Sequence, residues 1–142
     1  MEIILASHSN LAKGMYDSVS LIMGKQKNLH YLTAYVNDGI DFKDQLIQEI
    51  EPIKDNLILF VTDIIGGSVN TTIAQVVAQN EKYFLISGMN LPLVLELING
   101  ISGLDDSNSS EIKTKLQEIV KLGISGLKLV ELNNNENEED TF

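Results

Sequence analysis

The sequence predicts an α/β fold: a parallel sheet with helices on both faces. Two observations predict it. Short apolar runs alternate with stretches of helical period along the chain, in the order strand, helix, strand, helix. One of those runs, Leu57-Ile58-Leu59-Phe60-Val61, is apolar throughout, as a strand buried on both faces must be. At 142 residues the chain suits one domain, large enough to bury about 68–70% of its unfolded surface.

The elements follow in order. Ile3 to Ala6 reads as a short buried strand. Leu11, Met15, Val19 and Ile22 then recur at helical spacing, with Asn10 placed to cap the helix and Gly24 to stop it. Leu29 to Val36 is the second strand, closed by Asn37-Asp38-Gly39. Asp41 can cap a helix whose inner face carries Phe42, Leu46, Ile50 and Ile53. The third strand is Leu57 to Val61. Ser68 to Gln79 is the third helix, with Ile73, Val76 and Val77 inward.

Tyr83 to Ser87 is the fourth strand. Gly88-Met89-Asn90 then leads into a helix with Pro92 in its first turn, where proline is tolerated. After a loop from Gly103 to Ser110, Ile112, Leu116, Ile119 and Val120 mark a fifth helix that ends near Gly123. Leu127 to Leu132 reads as a last strand, at the sheet edge or beyond it. From Asn133 to Asp140 there are four acids and four asparagines with no apolar partner, so a domain over residues 1–132 and a disordered acidic tail over 133–142 are expected.

Composition removes several classes of function. The net charge is −10, and about −6 without the acids of the tail, which opposes binding to nucleic acid, where a basic face is needed. The chain has no cysteine, hence neither disulfides nor thiolate metal sites, which suits a reducing cytoplasm. No apolar run approaches the roughly 20 residues of a membrane helix, and no secretory leader pattern is present. Nothing resembles a Walker loop, a dinucleotide-binding glycine turn or a serine-hydrolase elbow. A receiver domain of the same layer order would need an acidic pair where Ser7-His8-Ser9 stands. Two histidines far apart in sequence oppose a zinc site. His30, inside the second strand, reads as a packed or surface strand residue.

What remains is chemistry at strand ends. His8 follows the first strand and Asp63 follows the third. In a doubly wound sheet of order 2-1-3-4 those strands are neighbours, and their carboxyl ends flank the crevice where such folds bind ligands. An Asp that accepts a hydrogen bond from one imidazole nitrogen fixes the tautomer, leaving the other nitrogen's lone pair outward. Gly66-Gly67-Ser68 supplies a close-approaching backbone, a hydroxyl and a helix N-terminus that favours an anion. Nucleophile, orienting acid and anion cradle together point to phosphoryl transfer through a phosphohistidine.

Three segments then carry a resemblance: Ala6-Ser7-His8-Ser9, Asp63-Ile64-Ile65-Gly66-Gly67-Ser68 and Gly88-Met89-Asn90-Leu91-Pro92. From Met1 to about Leu132 the chain resembles the IIA components of the mannose family of the bacterial phosphoenolpyruvate-dependent sugar phosphotransferase system. The resemblance implies that His8 accepts a phosphoryl group from phospho-HPr and passes it to a IIB component, which serves the membrane subunits IIC and IID. Asp63 would hold the His8 ring, while Ser68, Ser9 and the amides around Gly66 and Gly67 would contact the phosphoryl oxygens. No cofactor or metal is implied. It also implies the 2-1-3-4 sheet, a cytoplasmic location peripheral to the membrane through partner subunits, and a homodimer that exchanges a C-terminal strand, which Leu127 to Leu132 fits.

The chain departs from the family's pattern in places. Ile65 stands where many members have an aromatic, Val69 where they have proline, and Ser9 where they have glycine. Two other readings remain open from sequence. One is the phosphotransfer subunit of a dihydroxyacetone kinase, which shares the fold and a first-strand histidine but tends to carry a Met-Gly-Ser-type turn. The other is a non-catalytic module that binds a small anion in the crevice.

Overall fold

The computed structural model describes residues 1–132. Four parallel strands form one sheet: β1 (Glu2–His8), β2 (Leu29–Ala34), β3 (Ile58–Thr62) and β4 (Tyr83–Ser87), in the order β2-β1-β3-β4. The expected order is therefore the observed one. Register places His8 beside Ala34 on one side of β1, and Ala6 beside Thr62 on the other.

Helices α1 (Leu11–Met23), α4 (Leu91–Gly100) and α5 (Ser109–Ser125) cover one face, and α2 (Phe42–Ile50) and α3 (Ser68–Val77) the other. The two-residue period of the central strands divides the core. Ile3, Leu5, Leu59 and Val61 join Val19, Leu93, Leu97, Ile112 and Ile119 on the first face. Ile4, Ala6, Ile58 and Phe60 join Phe42, Leu46, Val69 and Ile73 on the second. Both faces are buried over Ile3–Ser7 of β1 and throughout β3, which is why these runs show no polar alternation. Each buried Val, Leu, Ile or Phe side chain among them contributes about 1.5–3 kcal/mol by leaving water. The site is thus held at the end of the two central, buried strands.

Several boundaries differ from the sequence expectation, each for a physical reason. The second strand stops at Ala34 rather than Val36, because Tyr35 takes a left-handed backbone conformation, φ +65°, which ends strand pairing. Asn10 occupies the N-cap position of α1 but its side chain caps nothing; the buried Ser7 hydroxyl accepts the Ala12 N–H instead, at 2.7 Å. Asp41 likewise begins α2 without a side-chain cap. The fifth helix runs past Gly123 to Ser125. Gly123 is a packing residue inside it, since a Cβ there would lie 2.8 Å from the Leu93 Cβ.

The expected last strand is absent among the described residues: Leu127–Leu132 pairs with neither edge of the sheet. Leu127, Leu129, Val130 and Leu132 are 74–92% exposed. A strand exists only with a hydrogen-bonding partner, and the described residues supply none here. The expected disordered tail, 133–142, lies outside the described residues.

Candidate functional site

Because β1 and β3 pair in parallel, their carboxyl ends emerge side by side, and His8 and Asp63, 55 positions apart, meet. Asp63 Oδ2 accepts two hydrogen bonds from His8: its backbone N–H at 2.9 Å and its ring Nδ1 at 2.7 Å. The other oxygen, Oδ1, accepts the Ile64 N–H at 3.0 Å. The carboxylate side chain is 10% exposed and the imidazole 41%. Burial pushes the Asp63 carboxyl up. The bonds from His8 and Ile64 outweigh that and hold it below its ordinary value. An ionised carboxylate can only accept, so Nδ1 carries the ring proton and Nε2 presents its lone pair away from the sheet.

The Asp63–Ser68 segment forms the opposite wall. Gly66 turns the chain at φ +77°, open to glycine and strained for other residues. Gly67 instead permits closeness, since a Cβ there would stand 2.9 Å from Ile64 Cγ2 and 3.1 Å from His8 Cε1. Ser68 opens α3, and its Oγ lies 3.3 Å from His8 Nε2. The first amides of α3 have no intrahelical acceptor, and the helix dipole adds positive potential at that end. The unprotonated Nε2 therefore faces the Ser68 hydroxyl, within hydrogen-bond distance, and beside it an anion-favouring helix end.

Ser9 is brought less directly to the site. Its backbone N–H is taken by the Ala34 carbonyl at 2.9 Å, its carbonyl accepts the Ser7 hydroxyl at 3.2 Å, and no hydrogen bond joins its hydroxyl to His8. Its own φ is +52°, a conformation that a glycine would take more readily. The third motif does structural work. Asn90 caps α4 by accepting the Leu93 N–H at 2.8 Å, and donates to the Gly123 carbonyl of α5 at 3.0 Å. His30 stands apart from the site, with Nε2 2.7 Å from the Glu2 carboxylate.

One residue was not singled out by sequence reasoning. The Tyr35 hydroxyl lies 2.6 Å from Ser68 Oγ, and its ring centroid lies 5.7 Å from that of His8. A tyrosine at the end of an apolar strand carries no mark of this in the sequence. Only the left-handed turn after Ala34 sends it across the strand ends.

The sequence model of the family EIIA-man, described as PTS system fructose IIA component, matches residues 2–117. The chain belongs to the EIIA-man family. Among relatives, the PTS system sorbose-specific EIIA component of Lacticaseibacillus casei is 28% identical over 126 residues, 88% of this chain and 91% of the relative. The fructose-specific EIIA component of Bacillus subtilis is 25% identical over 101 residues, 70% of this chain and 69% of its own. The solved mannose/sorbose-specific IIA subunit of Enterococcus faecalis shares the fold, with a TM-score of 0.76 at 18% identity, covering 95% of this chain and 98% of that one. As an EIIA-man member the chain is a IIA component of a sugar phosphotransferase system. Among the described residues no helix is long and apolar enough to cross a membrane.

Proposed function

We propose that this IIA component is a phosphocarrier that accepts a phosphoryl group from phospho-HPr on His8 Nε2 and donates it to a IIB component. The observation that carries the reading is the 2.7 Å bond between His8 Nδ1 and Asp63, with the opposite nitrogen facing Ser68. The Nε2 lone pair attacks phosphorus as the donor's N–P bond breaks, and that bond's electron pair returns to the donor nitrogen. No proton need leave the ring. The Nδ1–H stays on Asp63, whose negative charge offsets the positive charge that the ring gains. Ser68 and the first amides of α3 receive the phosphoryl oxygens, with Gly66 and Gly67 letting that backbone come close and Ser9 at the opposite lip. The step is reversible, and the same groups serve donation to IIB.

In this reading residues 1–132 are the phosphocarrier domain, acting in the cytoplasm beside IIB and the membrane subunits IIC and IID. The chain works as a homodimer in which Leu127–Leu132 pairs with a second copy. The four exposed apolar side chains of that segment support this exchange. Sedimentation that gives only monomer at micromolar concentration would remove the dimer.

The test is incubation with phosphoenolpyruvate, enzyme I and HPr, followed by intact mass and acid treatment. The expected result is a gain of one acid-labile phosphoryl group that His8→Ala abolishes. Labelling that persists in His8→Ala refutes the assignment.

A further inference from the structure

Tyr35 and Ser9 are the two non-glycine residues with positive φ in the described chain. They flank His8: Ser9 follows it, and Tyr35 follows Ala34, its register partner on β2. A left-handed backbone is costly for a bulky side chain, and such outliers persist only where the surroundings impose them. Core packing does not account for this one, since Tyr35 is 63% exposed. What the conformation achieves is an approach to the site. It brings the phenol 2.6 Å from Ser68 Oγ and sets the ring, tilted by 39°, 5.7 Å from the imidazole.

The hydrogen bonds at the site can all run in one consistent direction. The Nδ1–H of His8 donates to Asp63, which leaves Nε2 as an acceptor. The Ser68 hydroxyl, 3.3 Å away, donates to Nε2. Ser68 Oγ then accepts from the Tyr35 hydroxyl, the shortest contact of the series. A serine hydroxyl at a helix start rotates freely unless something holds it. Tyr35 is placed to hold it.

We propose that Tyr35 is a positioning residue for phosphoryl transfer, whose phenol fixes the Ser68 hydroxyl toward His8 Nε2 and whose ring screens the phosphohistidine from water. This rests on the phosphocarrier reading above. When Nε2 takes the phosphoryl group, Ser68 loses its acceptor there and donates to a phosphoryl oxygen instead, still held from behind by the phenol. The transfer partner must meet the ring as it docks, because Tyr35 stands at the exposed lip of the site.

Two variants separate the hydroxyl from the ring. Tyr35→Phe keeps the ring and loses one neutral hydrogen bond, so turnover at saturating phospho-HPr should fall about fivefold with KM unchanged. Tyr35→Gly suits the left-handed backbone. Its melting temperature should hold or rise while transfer falls and the isolated phosphohistidine hydrolyses faster. A Tyr35→Phe variant with unchanged turnover overturns the inference. So does a Tyr35→Gly variant that loses stability while its phosphohistidine lifetime stays that of the parent chain, because the ring then serves the fold. If the parent chain takes no phosphoryl group at all, the carrier reading fails and this inference fails with it. A phosphorylated parent beside unaffected variants refutes only the role of Tyr35.

Discussion

Asp63→Asn removes one charge and almost no volume, so it isolates what the carboxylate does for His8. Three donors converge on the wild-type side chain: the His8 N–H and ring Nδ1 on Oδ2, and the Ile64 N–H on Oδ1. Asparagine offers one acceptor oxygen. With that oxygen toward His8, its NH2 group opposes the Ile64 N–H. With the amide reversed, the NH2 group opposes the His8 backbone N–H and donates to Nδ1, which moves the ring proton to Nε2 and abolishes the nucleophile. Leaving one donor unsatisfied costs about 1–3 kcal/mol, and losing charge from the remaining bonds adds about 1 kcal/mol more.

A transition state that gathers positive charge on the imidazole feels most of that sum. A loss of about 2–4 kcal/mol corresponds to roughly 30- to 1000-fold in rate. Rapid-quench transfer from labelled phospho-HPr measures it, and urea unfolding of the same variant shows whether the fold survives. The pH dependence supplies a second signature. Asp63 titrates below its ordinary value in the folded chain, so its contribution to stability is complete above about pH 4 and is lost as pH falls through the folded value. The stability gap between parent and variant should therefore be open at pH 7 and close in acid. A variant that transfers at nearly the parent rate refutes the orienting role, and a gap that persists in acid refutes the electrostatic account.

Other substitutions test the surrounding geometry. Gly67→Ala would put a methyl 3.1 Å from His8 Cε1, and the ring cannot yield without stretching its bond to Asp63; transfer should fall about tenfold while urea unfolding shows a loss of about 1 kcal/mol. Ser7→Ala deletes the buried hydroxyl that caps α1 and should cost about 1–2 kcal/mol, read by urea unfolding, with His8 still phosphorylated. His8→Ala should keep the stability of the parent within about 1 kcal/mol, because the ring is a partly exposed edge residue, while losing all phosphoryl acceptance.

Legibility in the sequence followed periodicity and burial. The continuous run Leu57–Val61 and the spacing Phe42, Leu46, Ile50 announced a buried strand and an amphipathic helix, and both form. Asp63, Gly66, Gly67 and Ser68 could be placed together because they are contiguous, and His8 could be joined to them once the order 2-1-3-4 was assumed. Local chemistry was less legible. Asn10 and Asp41 stand at helix starts without capping, because a cap depends on side-chain direction and on competitors such as Ser7. Gly123 read as a stop and proved to be a contact with Leu93, since one sequence cannot separate a glycine needed for its backbone from one needed for its lack of a side chain.

By itself the sequence determined the layers of this protein, the sheet edge that carries the candidate site and the residue types gathered there, because hydrophobic period and chain order are local properties that survive without coordinates. Tertiary structure alone decided the candidate site's geometry: the paired acceptance of His8 by one Asp63 oxygen, the closeness that Gly67 allows and the reach of Tyr35 to Ser68. It also left Leu127–Leu132 unpaired among the described residues. Apolar content can mark a segment as strand-like, but a strand is completed only by the backbone it pairs with.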